Sequence, residues 1–145
     1  VSSAELVMGR ILGLFLSVLP VLLSAAATLA ATGLGIELDW PRLLLGLVAL
    51  LLFGLWLSCV MVALSTLAEH PAAVLALGYG TLLFVWLLDS FVEPDAALYW
   101  AALLPHLQPA FGGLLRSTDI VFFLSTGLAA MAFAVYRIAR RRGEV

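Results

Sequence analysis

Lysine is absent from this sequence, and all seven basic residues are arginine. A P-loop needs a lysine to reach the β- and γ-phosphates of a nucleotide, so this chain does not bind one that way. Charge of either sign is scarce, at 11% of residues, where a soluble domain carries about 25%. The single cysteine, Cys59, lies inside an apolar run and has no partner for an internal disulfide. A small packed residue is its simplest role. There is no G-x-S-x-G, no H-E-x-x-H and no set of histidines with carboxylates on one face. No catalytic or cofactor-binding residue is therefore expected, and no enzyme activity. Also missing is any Asp, Glu, Arg or His near the middle of a long apolar run. Ion- and proton-driven transporters usually place an ionisable group there. Asp89 comes nearest, but it stands at the end of a run.

What remains is 64% apolar, with a mean hydropathy of +1.17. A hydrocarbon core about 30 Å thick demands uncharged runs of about 20 residues. Four such runs are present, and they place spanning helices at about 11–33, 43–67, 72–89 and 119–137. The fold class expected is all-α: a polytopic membrane protein forming one transmembrane domain over 1–145. Ser117 and Thr118 can lengthen the last span.

A fifth apolar stretch, Ala96 to Leu115, is interrupted. Pro105 and Pro109 each remove a backbone donor, and Gly112-Gly113 weakens a helix. A backbone group freed in lipid costs several kcal/mol. Residues 90–118 are therefore expected as short interfacial or re-entrant helices, "AALYWAALL" and "FGGLLRS", with Tyr99 and Trp100 at headgroup level.

The arginines orient the chain. Arg137, Arg140, Arg141 and Arg142 follow the last run and mark that end, residues 138–145, as a cytoplasmic tail by the positive-inside rule. With four spans Arg10 falls on the same side, and only Arg42 and Arg116 lie outside. Both termini are thus expected in the cytoplasm. His70 and His106 then stand on opposite faces and share no metal ion, so no metal site is expected. His106 reads as a hydrogen-bonded structural group, with Asp119 or Arg116 as neighbours through the turn.

The opening "VSSAELVMGRILG" has capping-box spacing at Ser2 and Glu5. Leu6 and Val7 then make residues 1–10 a partly apolar interfacial helix, ending at Gly9 and Arg10. In the first span Gly13, Ser17, Ser24, Thr28 and Ala31 share one face. The second span repeats small residues at Gly54, Ser58 and Ser65. Such faces let helices pack closely. A polar pathway lined by Ser17, Ser24, Thr28, Ser58 and Ser65 is the other reading. The chain begins with Val1 and no leader pattern; it is expected to be a piece of a longer protein.

Two stretches together resemble the type 2 ABC transporter permeases. "SSAELVMGRILG" resembles their cytoplasmic coupling segment and third-span entry. The C-terminal part resembles a branch that includes gliding-motility and nitrous oxide reductase maturation permeases. That branch has a His, a Gly seven residues later, an Asp six after that, then aromatics and a Ser. Here they are His106, Gly113, Asp119, Phe122, Phe123 and Ser125. Arg116 stands where an acidic residue is common and Thr118 where a basic one is. Phe111 lies one residue later than the usual aromatic.

The resemblance implies spans three to six of a six-span exporter permease in a bacterial inner membrane. It implies an ATPase-coupling segment at Ser2, Glu5, Leu6, Val7, Gly9 and Arg10. It also implies an outer cap at Pro105, His106, Pro109, Phe111, Gly113, Arg116 and Asp119. Expected partners are ABC ATPase subunits, which would hold ATP and Mg²⁺, a second permease copy forming a homo- or heterodimer, and membrane lipid. Nucleic acid is not an expected partner. The competing expectation is a non-transporting four-helix membrane anchor or assembly protein.

Overall fold

A computed structural model describes residues 2–32 and 39–143. Helix α1 spans Ser3–Thr32, α2 Trp40–Ser65 and α3 Pro71–Phe91. A 3₁₀ turn at Ala97–Ala101 and the short α4, Leu104–Phe111, precede α5, Ser117–Arg142. The described residues are helical with no strand, and α1, α2, α3 and α5 are each long and apolar enough to cross a membrane. The protein is thus an all-α polytopic membrane protein of four spanning helices. The expected first-span end at Gly33 and the outer residues Gly35 to Leu38 lie outside the described residues, as do Val1, Glu144 and Val145.

Local chemistry explains where the helices begin. Ser2 and Glu5 form the expected capping box: Glu5 N–H donates to Ser2 Oγ at 3.2 Å, and Ser2 N–H donates to Glu5 Oε2 at 2.7 Å. Residues 1–10 were expected as a separate interfacial helix. Instead α1 runs unbroken from Ser3 into the span, because Gly9 alone weakens a helix by only about 1 kcal/mol. The second helix starts three residues before the expected 43. Asp39 caps it by accepting from Arg42 N–H at 3.3 Å, and Pro41 sits in the first turn, where no donor is needed. The last helix continues past 137 to Arg142 and stops at Gly143, whose φ of 69° is left-handed.

The cap differs from its expected form. The helix covers Leu104–Phe111 and contains both prolines, whereas "FGGLLRS" is a turn. Pro105 lies in the first turn, so it sacrifices no hydrogen bond there. Pro109 removes one bond from eight residues. Gly113 then takes φ = 85° and its N–H reaches Ala110 O at 3.0 Å. At about 12 Å long, α4 is too short to cross a bilayer.

The second helix is the hub, packing against α1, α3, α4 and α5. Two clusters fix the ends of the bundle. At one, Val7 and Ile11 of α1 meet Cys59, Val62 and Ala63 of α2 and Ala134 of α5. At the other, Trp56 meets Leu103, Leu107, Phe122 and Phe123. So the start of α1 and the end of α5 share one end of the bundle, and the cap covers the opposite end. Within lipid these contacts stabilise through close packing rather than through water exclusion. α1 and α3 present leucines, Tyr79 and Phe84 outward, as helices facing hydrocarbon do.

Candidate functional site

The cap is held from three directions. Leu103 N–H donates to Val85 O at 3.0 Å. Val85 lies six residues before the end of α3, so the chain descends about 9 Å alongside that helix before α4 begins. Arg42, at the start of α2, reaches across to Gly112 O with Nη2 at 3.2 Å. The third tie is buried. His106 Nδ1 lies 2.9 Å from Asp119 Oδ1, joining α4 to the first turn of α5.

Both partners of that pair are satisfied. Asp119 is 1% exposed and His106 8%. The second carboxylate oxygen, Oδ2, accepts Arg116 N–H at 3.1 Å. That is half of a capping box; an arginine side chain has no acceptor with which to supply the other half. A carboxylate in the first helical turn also faces the positive end of the helix dipole. On the other side of the ring, His106 Nε2 lies 3.0 Å from the carbonyl oxygen of Trp100. A carbonyl only accepts, so Nε2 carries a hydrogen. One further proton is shared between Nδ1 and Oδ1, and the pair is electrically neutral as a unit. Neutrality and full hydrogen bonding are what allow it to be buried at low cost.

Aromatic rings continue the pair into the bundle. The His106 ring stacks on Phe122, centroids 4.1 Å apart and 12° from parallel. Trp100 meets Phe122 edge-on at 5.3 Å, and Phe123 and Phe122 both lie against Trp56. Trp56 Nε1 donates to Thr126 Oγ1 at 2.9 Å. His106, Gly113, Asp119, Phe122 and Phe123 were singled out by the family resemblance, and the fold gathers the His, the Asp and both Phe into one cluster. Gly113 sits beside it against the Arg42 side chain. Beside the pair a cavity of about 320 Å³ opens among Pro94, Tyr99, Trp100, Pro105, Arg116 and Thr118. Phe111, half exposed, lies against Gly46 of α2 instead.

The other expected site residues are dispersed. Glu5, Gly9 and Arg10 are exposed and Leu6 is half-buried, but Val7 is fully buried in the core. It faces α2 and α5 and has no surface to offer an outside partner. Ser17, Ser24 and Thr28 all lie on an exposed face of α1, and each hydroxyl donates to a carbonyl of its own helix at 2.7–2.8 Å. Ser58 is buried in α2 and Ser65 is half-buried there, likewise bonded to Gly54 O and Val62 O. These five residues do not converge on a common channel within this chain. Among the described residues no three His, Cys, Asp or Glu come together as metal ligands.

Sequence reasoning missed the Trp100 carbonyl, the Arg42 clasp and the Trp56–Thr126 bond. A backbone acceptor leaves no mark on the sequence, and the other two span seventy residues. Comparison with protein-family profiles, with curated proteins and with solved structures finds no match to this chain.

Proposed function

We propose that the chain is the membrane-spanning permease part of an ATP-driven exporter, similar to the type 2 ABC class. In this reading it forms a path with a second permease subunit and is driven by separate ATPase subunits. It would sit in a bacterial inner membrane with the arginine-rich end in the cytoplasm. The observation that carries the reading is the 2.9 Å bond between His106 and Asp119. It joins two residues named by the family pattern and lies at the bundle end opposite the helix start expected to couple to ATP hydrolysis.

The packing suits a mechanical coupling. Among the described residues α1 touches only α2 and α5 and makes no contact with the cap. It is one continuous helix of about 45 Å, with Pro20 in its interior. A push by an ATPase on Glu5 and Met8, both exposed, would move α1 past a body made of α2, α5 and the cap. The cap would close the path and open as the two permease subunits part.

The test is copurification from the full-length protein. Met8→Asp places a charge at an exposed position near the start of α1. The expected result is loss of a copurifying ATP-hydrolysing subunit and of export. Retention of both would overturn the coupling reading. An anchor or assembly protein would instead copurify with partners that bind no ATP.

A further inference from the structure

The end of α5 carries a cation cluster that the cap and the coupling reading leave unused. Arg137, Arg140 and Arg141 are three and four residues apart, so they share a face of the helix. Among the described residues none of them, nor Arg10 at the same end, is within ion-pair distance of a carboxylate. Glu5 is engaged with the Ser2 backbone. The cluster contains one further oddity: Arg137 Nε is buried and has no hydrogen-bond acceptor. A buried donor without a partner is costly, and a guanidinium donor more so. That atom is closed off from outside the chain, but the charge of the cluster, with Arg140 and Arg141 exposed, calls for an anionic partner.

Depth decides the kind of anion. The uncharged run Ile120 to Tyr136 rises about 25 Å, close to a hydrocarbon core. Arg137 follows it directly on the same helix, and the rise from Arg137 to Arg141 is about 6 Å. The headgroup layer on each side of a bilayer is about 5–7 Å thick. All three guanidiniums therefore lie at the level of lipid phosphates rather than out in solvent, where a protein partner would meet them.

We propose that Arg137, Arg140 and Arg141 form a seat for the phosphate of an anionic phospholipid headgroup. The seat lies on the side of the membrane where α1 begins and α5 ends. It is independent of what the protein transports, and of whether it transports at all.

The test is native mass spectrometry of the full-length protein, with dioleoyl phosphatidylglycerol or dioleoyl phosphatidylcholine added to the detergent. The wild type is expected to retain phosphatidylglycerol several-fold better. Each arginine replaced by glutamine should weaken that retention roughly fivefold. Should the triple glutamine variant fail to elute as a folded species, Arg140→Gln/Arg141→Gln carries the same test through two exposed residues. Equal retention of the two lipids by the wild type would overturn the proposal, as would undiminished preference in the variants. So would loss of a copurifying protein from the variants with lipid preference unchanged, since the arginines would then serve that protein.

Discussion

The two ends of α5 solve the problem of charge in a membrane in opposite ways. At its start Asp119 is buried, and each carboxylate oxygen has a donor: His106 on one, the Arg116 backbone on the other. At its finish Arg140 and Arg141 are exposed and Arg137 half-buried, and no carboxylate answers any of the three among the described residues. One end is closed by the chain itself, and its charges cancel. The other leaves its charge for the surroundings to balance. A buried pair is all-or-none, because removing one partner strands the other. An exposed cluster is graded, because each member acts nearly alone. The ends should therefore respond to substitution in different ways.

The largest effect should come from breaking the closed end. Asp119→Ala strands His106 and removes the acceptor for Arg116 N–H. Loss of a buried pair member costs about 3 kcal/mol or more. Unfolding by dodecyl sulfate, followed by tryptophan fluorescence, should show it, since Trp100 and Trp56 lie within the same cluster. Replacing both partners by leucine should cost clearly less than Asp119→Ala alone, because no polar group is then left behind. A double variant as unstable as the single one would mean that the pair is not the unit described.

Gly113 comes next. Its φ of 85° is strained for any residue with a Cβ, at about 1–2 kcal/mol. From the sequence this glycine was expected to weaken a helix as one of a pair. Its role now visible is the backbone turn, with only the flexible Arg42 side chain facing it. Gly113→Asn should be tolerated better than Gly113→Leu, since asparagine visits the left-handed region readily. Equal losses would point to crowding instead. Arg42→Gln should be milder again, about 1 kcal/mol or less, because the clasp to Gly112 O is exposed. Proteolytic nicking between Gly112 and Arg116 reports that loosening more directly than global unfolding does.

The spans were legible because an uncharged run is a direct imprint of hydrocarbon thickness. Helix starts were less so: Asp39 and Pro41 begin α2 inside what reads as a loop, and only cap chemistry reveals it. In the cap, the prolines were read as breakers when one serves as a helix start. Periodicity could not orient Val7 either. Which face of α1 turns inward depends on α2 and α5, and their approach is set by contacts far apart in sequence. The pairing of His106 with Asp119 was within reach, since a lone histidine thirteen residues from an acid across a turn has few other partners.

The smallest effect belongs to the open end. Arg140 and Arg141 are exposed and pair with no carboxylate among the described residues, so Arg140→Gln/Arg141→Gln should shift stability in a zwitterionic detergent by no more than about 0.5 kcal/mol. Two opposing terms keep the number small. Removing positive charge from the last turn forfeits a favourable interaction with the helix dipole, about 0.3–1 kcal/mol per residue at low salt. It also relieves repulsion from Arg137, three and four residues away, which is of similar size at that spacing. Both terms are screened as salt rises, so the balance should stay near zero from low to physiological ionic strength. The comparison to make is with Asp119→Ala under identical conditions. If the two-arginine variant loses as much stability as that one in zwitterionic detergent, the arginines are bonded within the protein and the contrast between the ends disappears.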